Sequence, residues 1–171
     1  SKAKITILGA GSYGTALAIC FARNGHQTIL WGRDNKHCAL MKLERQNTKY
    51  LAGCPFPETL SVEVDLKNAV KASHNLLVVV PSHAFGDMLI QIKPMLLDNV
   101  KIAWATKGLD PNTGDLLQNV AVNIVGPNVS LAVLSGPTFA KEMASGLPTA
   151  ISLSSEDDTF VTQPRERISD L

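Results

Sequence analysis

The stretch Gly9-Ala10-Gly11-Ser12-Tyr13-Gly14 constrains this chain more than any other. It follows directly on Lys4-Ile5-Thr6-Ile7-Leu8, a short, apolar, β-rich run, and it opens a helix-like stretch carrying Ala16, Leu17, Ile19, Cys20 and Phe21. A strand that is apolar throughout is buried on both faces, as in a parallel sheet covered by helices. Between such a strand and a helix the glycines meet separate needs. Gly9 permits the tight turn, Gly11 lets the backbone approach a pyrophosphate that a side chain would obstruct, and Gly14 lets the helix pack close to the strand. The start of the helix then offers free N–H groups and a partial positive charge to the phosphates. A glycine-rich turn kept for packing alone is the competing reading, and the strand and helix on either side weigh against it.

The same alternation continues along the chain. Gly25 takes a C-terminal cap position after the first helix. Gln27 to Trp31 reads as a second strand, and Asp34 caps a helix running to about Asn47. Thr48 to Val64, with Gly53, Pro55 and Pro57, reads as irregular. Asp65 caps a short helix through Ala72, and Asn75 to Val80 is a strand stopped by Pro81. A helix from about His83 to Ile92 ends before Pro94. Lys101 to Ala105 is a strand, Asp115 caps a helix through Ile124, and Ser130 to Leu134 is a further strand. A short helix to Ala144 and a strand from Thr149 to Leu153 close the pattern. The expectation is an α/β fold of the Rossmann type, doubly wound, with a mostly parallel sheet and helices on both faces. Residues 1–153 read as one dinucleotide-binding domain. The polar, aperiodic residues 154–171 read as a tail or truncated linker.

Composition narrows the partners. With 45% hydrophobic residues the chain can bury a sizeable core. Its net charge of +1 comes from scattered Lys and Arg, so it carries no electrostatic footprint for nucleic acid. No run approaches the ~20 apolar residues of a membrane span, and the N-terminus does not read as a secretory signal. Cys20, Cys38 and Cys54 form an odd set without a CxxC pair. That argues against a disulfide framework or a metal site and for a reducing, cytoplasmic setting.

The second strand ends Trp31-Gly32-Arg33-Asp34. Arg33 offers a fork for a 2′-phosphate and a flat face for adenine. Asp34 is placed either to accept from a ribose hydroxyl or to cap a helix. NADPH is the favoured cofactor, with NADH as the lesser or alternative one; a solvated surface arginine is the competing reading of Arg33. Trp31 and Trp104 read as core.

Ligands of open α/β sheets lie outside the carboxyl ends of the strands. Three such ends here read Pro81-Ser82-His83, Thr106-Lys107-Gly108 and Ser135-Gly136-Pro137-Thr138. One cation and several hydroxyls on one sheet edge suit a small anionic substrate beside a dinucleotide. Lys107 is the candidate catalytic residue, able to polarise a carbonyl or hold an oxyanion; a surface lysine is the alternative. Gly136 and Thr138 are candidates for a substrate oxygen or phosphate, with simple capping as the alternative. His83 reads as the start of a helix, and His26, His37 and His74 receive no role.

Read together, Gly9-Ala10-Gly11-Ser12-Tyr13-Gly14-Thr15-Ala16-Leu17-Ala18, Leu30-Trp31-Gly32-Arg33, Asn47-Thr48-Lys49-Tyr50-Leu51, Val80-Pro81-Ser82-His83, Ala105-Thr106-Lys107-Gly108-Leu109 and Leu134-Ser135-Gly136-Pro137-Thr138-Phe139-Ala140 resemble NAD(P)-dependent glycerol-3-phosphate dehydrogenases of the bacterial type. The segments stand in that family's order and span roughly Lys4 to Ser154. The resemblance implies reversible interconversion of sn-glycerol 3-phosphate and dihydroxyacetone phosphate, feeding glycerophospholipid synthesis. It implies that Ser12, Tyr13 and Arg33 contact the cofactor, with Tyr50 and Pro81 nearby. It places Lys107 on both cofactor and substrate, Gly136 and Thr138 on the substrate, and Ala140 on the cofactor. Position 13 is often Trp in the family, and Tyr keeps a flat ring. The family also has a second, mostly helical domain that carries the proton-transferring lysine and most substrate-phosphate contacts, and its members can be homodimers. Nothing here matches that domain, so the expectation for this chain is cofactor binding with poor turnover. A related NADPH-dependent ketoacid or hydroxyacid reductase and a non-catalytic dinucleotide-binding module are the other readings.

Overall fold

The computed structural model describes residues 2–105, 108–135 and 152–155. Its strands are β1 (Ile5–Leu8), β2 (Thr28–Trp31), β3 (Leu60–Val62), β4 (Asn75–Val78), β5 (Lys101–Trp104), β6 (Ser130–Ser135) and β7 (Ser152–Ser155). The helices are α1 (Ser12–Arg23), α2 (Asn35–Glu44), α3 (Leu66–Lys71), α4 (Ser82–Ile92) and α5 (Leu117–Val125), with a single 3-10 turn at Lys93–Met95. Among the described residues, seven strands form one sheet in the order β3-β2-β1-β4-β5-β6-β7. Neighbours are parallel from β3 through β6, and β7 alone is antiparallel, on β6. The parallel part has the strand order of a dinucleotide-binding doubly wound sheet, which reverses direction between β1 and β4.

The strands read as unbroken apolar runs because successive residues feed different cores. Ile5, Ile7, Leu30, Leu77 and Ala103 face one layer with α1 residues Ala16, Leu17, Ile19 and Phe21 and with Met41 of α2. Leu8, Ile29, Trp31, Leu76, Val78, Ile102 and Trp104 face the other, against α3, α4 and α5. Both tryptophans are buried, at 6% and 2% exposure, as their sequence setting suggests. Thr6 joins the second layer through its hydroxyl, which donates to Ala69 O at 3.0 Å.

Helix ends follow local chemistry. Gly25 adopts φ +94° just beyond α1. Its N–H reaches Ala22 O, and the N–H of His26 reaches Phe21 O, which closes the helix with paired reverse bonds. Asp34 and Asp65 cap α2 and α3 as expected. Asp115 does not cap α5. The cap residue is Leu116, and Asp115 Oδ1 instead accepts from Leu116 N and Asn119 Nδ2.

The irregular stretch expected over residues 48–64 contains β3. Only three residues pair, and Ser61 is exposed between buried Leu60 and Val62. A strand that short, close behind Pro55 and Pro57, carries too few alternations to announce itself. Helix α2 also stops at Glu44 rather than near Asn47, because Arg45 turns left-handed at φ 57°. Arg45 then clamps the following loop. Its guanidinium donates to Leu60 O at 2.6 Å and Pro57 O at 2.8 Å and lies 5.9 Å from the Phe56 ring centre. Arg45→Ala is expected to lower stability by about 2 kcal/mol, seen as an earlier urea midpoint with unchanged m. An unshifted midpoint would deny the clamp. At the other edge, β7 extends to Ser155, past the break in character at residue 153. The helix expected to run to Ala144 lies outside the described residues.

Candidate functional site

An open cleft of about 460 Å³ lies at the carboxyl ends of β1, β2 and β4, at the point where the strand order reverses. The turn after β1 supplies Gly9, Ala10 and Gly11; the end of β2 supplies Trp31, Gly32, Arg33 and Asp34; the end of β4 supplies Val79, Val80 and Pro81. Helix α4 closes one side and the Lys49–Tyr50 loop another.

The three glycines of the turn differ in what surrounds them. Gly9 has φ +134°, and a Cβ built there would lie 2.0 Å from Val79 O. At Gly14 a Cβ would lie 2.0 Å from Gly9 O and 3.5 Å from the Val79 side chain, so this glycine admits the turn's own carbonyl as well as the neighbouring strand end. At Gly11 a Cβ would meet nothing within 4 Å. Gly11 is the N-cap of α1, which begins without a side-chain cap. The turn is therefore closed against the sheet at Gly9 and Gly14 and open to the cleft at Gly11, above a helix N-terminus suited to an anion.

The end of β2 is held from below. The Gly32 N–H donates to Cys38 Sγ, and Cys38 Sγ donates back to Gly32 O, both at 3.3 Å. Burial pushes the Cys38 thiol up from its usual pKa, so it stays a neutral donor. Asp34 Oδ1 accepts from Lys36 N at 2.9 Å and His37 N at 3.2 Å. The His37 amide bond is the main cause that holds the Asp34 carboxyl below its usual range, with the Lys36 amide and the charge of Lys49 adding to it. Arg33 is exposed on the cleft wall. In the same lining, the Tyr50 ring packs edge-on against His37 at 5.4 Å, with Lys49 Nζ 5.0 Å from the tyrosine ring centre.

Of the residues singled out from sequence, Gly9, Gly11, Arg33, Tyr50 and Pro81 line this one cleft. Gly14 lies behind the turn, in contact with Gly9. Ser12 is exposed at the start of α1, and Tyr13 is half-buried against the first core layer. His83 lines the cleft from the first turn of α4. Lys107, Gly136, Thr138 and Ala140 lie outside the described residues. Sequence reasoning passed over His37, Lys49, Asp87 and Gln91, which also line the cleft. His37 was the most accessible of these, because it stands one helical turn beyond the capping Asp34.

Comparison with known proteins gives consistent matches. Residues 4–161 match the family model described as NAD-dependent glycerol-3-phosphate dehydrogenase N-terminus. A glycerol-3-phosphate dehydrogenase [NAD(P)+] of Colwellia psychrerythraea is 77% identical over 161 residues, covering 94% of this chain and 48% of that protein. The Citrobacter koseri protein of the same name is 57% identical over 166 residues, covering 97% and 49%. The chain spans about half the length of the curated relatives it matches. Among solved structures, glycerol-3-phosphate dehydrogenase from Coxiella burnetii superposes with a TM-score of 0.86 at 44% identity, covering 91% of this chain and 47% of that one.

Proposed function

The chain belongs to the NAD-dependent glycerol-3-phosphate dehydrogenases, as the N-terminal, NAD-binding part of that family, and from that premise we propose that its cleft seats a dinucleotide for hydride exchange between sn-glycerol 3-phosphate and dihydroxyacetone phosphate, with NADPH preferred over NADH. The observation that carries the reading is the opening at Gly11, in the same cleft that Arg33 and Tyr50 line. A dinucleotide fits these residues. The open glycine and the uncapped start of α1 receive the pyrophosphate. Tyr50 and Arg33 flank the adenosine end, and Arg33 meets a 2′-phosphate.

The preference for NADPH rests on two neighbours with different commitments. Asp34 spends its Oδ1 on the first amides of α2, which leaves it less suited to a ribose hydroxyl, whereas exposed Arg33 is available to a phosphate.

When bound, the nicotinamide supplies or takes up the hydride at the substrate's central carbon. Lys107 holds the oxygen on which charge develops in the reduction, while Gly136 and Thr138 hold the substrate and Ala140 contacts the cofactor. Ser12 and Tyr13 border the pyrophosphate at the start of α1. In this reading the proton exchanged at that oxygen and most substrate-phosphate contacts come from a part of the family's chain outside the residues matched here.

Trp31 lines the cleft and serves as the fluorescent probe. Arg33→Ala is expected to weaken NADPH about tenfold and NADH far less, since a charge-assisted bond is worth about 1.5–3 kcal/mol before solvent screening reduces it. Equal losses for the two cofactors would remove the phosphate-recognition role. Binding of neither cofactor by the unaltered chain would overturn the reading itself.

A further inference from the structure

Asn47 stands in an irregular loop, is fully buried and touches both halves of the cleft. Its Nδ2 donates to Ala10 O at 3.0 Å and to Thr15 Oγ1 at 2.8 Å. Its Oδ1 accepts from Tyr50 N at 3.2 Å and lies 2.9 Å from His37 Nε2. Two backbone groups settle the orientation of the amide. Ala10 O can only accept and Tyr50 N can only donate, so Nδ2 must face the turn and Oδ1 must face the loop. His37 Nε2 therefore carries a hydrogen and donates. One side chain thus has four partners drawn from the phosphate turn, α1, α2 and its own loop.

We propose that Asn47 is a positioning residue for dinucleotide binding, which locks the glycine turn and the His37–Tyr50 wall into one register. The inference rests on the cofactor reading above. Ala10 C=O and Gly11 N–H belong to the same planar trans peptide group and point in opposite directions. Anchoring the oxygen on Asn47 therefore fixes the direction of the N–H at the open corner of the turn. The other end of Asn47 fixes the Tyr50 backbone and, through His37, the ring against which Tyr50 packs edge-on. A ligand that spans the cleft needs both walls at one spacing, and a small misplacement at either wall is costly. An apolar core residue at position 47 would fill the space without aiming anything.

The test uses this chain with Asn47→Ala and Tyr50→Ala, singly and combined, titrated with NADPH and followed by tryptophan fluorescence. Far-UV circular dichroism of each variant checks the fold. Asn47→Ala is expected to weaken NADPH about tenfold and Tyr50→Ala about fivefold, with the double variant no weaker than Asn47→Ala alone, because coupled neighbours fail to add. A role confined to stability would leave the two effects multiplying. Multiplying effects, or affinity unchanged in a folded Asn47→Ala variant, would overturn the proposal. Should Asn47→Ala not fold, Thr15→Val removes one of its acceptors at nearly constant shape and is combined with Tyr50→Ala in its place. A loss of affinity together with a smaller Tyr50 effect supports the proposal, and wild-type affinity overturns it. Absence of NADPH binding by the unaltered chain would instead remove the cofactor reading, and this inference with it.

Discussion

Gly11→Ala is expected to leave the fold intact and to weaken NADPH and NADH by at least about a hundredfold, or roughly 2.7 kcal/mol. The backbone at this position has φ −77° and ψ −172°, which any L-residue adopts. A Cβ there would touch no protein atom within 4 Å. Nothing in the folded protein resists the substitution, and Ala reduces the freedom of the unfolded chain, so the urea midpoint is expected to hold or rise slightly. The added methyl would instead occupy the open corner above the start of α1, where the pyrophosphate of the proposed cofactor would come close to the amides. Fluorescence titration and urea unfolding of the same sample separate the two effects. A variant that binds normally would show that the phosphates are seated elsewhere, and one that unfolds would show that the space is not free.

Gly9→Ala and Gly14→Ala are expected to do the reverse. Each new Cβ would lie 2.0 Å from a backbone carbonyl oxygen, Val79 O in one case and Gly9 O in the other, and backbone cannot swing aside as a flexible side chain can. Gly9 adds a positive φ that L-residues rarely adopt. A loss of about 4 kcal/mol or more is expected at either site. Against a total stability of about 5–15 kcal/mol, that is a large share. Gly53→Ala is the control, since Gly53 has φ +81° but open space around it, and its cost is expected to be limited to about 1 kcal/mol of backbone strain. Urea midpoints in the order wild type, Gly53→Ala, then Gly9→Ala and Gly14→Ala would support this division. Comparable midpoints for all three variants would mean that the turn relaxes around the new side chains.

The fold was legible wherever burial was two-sided. β1, β2, β4 and β5 are apolar at almost every position because both layers claim them, and Asp34 and Asp65 marked helix starts that depend only on neighbouring amides. β3 escaped because it is brief and half-exposed. The cleft was legible to the extent that its residues follow strands directly, as Gly9, Gly11, Arg33 and Pro81 do. Tyr50 was reached only through family resemblance. Asn47 was not legible at all as a structural hub, because its bond to Ala10 spans 37 positions and a polar residue in an irregular loop carries no period. Its burial becomes visible only when the turn and the loop meet in space.

The sheet order also governs how the protein comes into being. β1 is made early and lies inside the sheet, yet one flank waits for β4, and Asn75 Nδ2 donates to Lys4 O across 71 positions. During synthesis, β1, β2 and β3 can pair while the other side of β1 is still an open edge. Among the interior strands β1 therefore waits over the longest stretch of chain for its second neighbour, and its closure depends on the slow, long-range contacts that limit folding speed. The turn after β1 gains its contact with Val79 at that same moment, so the geometry of the glycine turn and the closing of the sheet are one event.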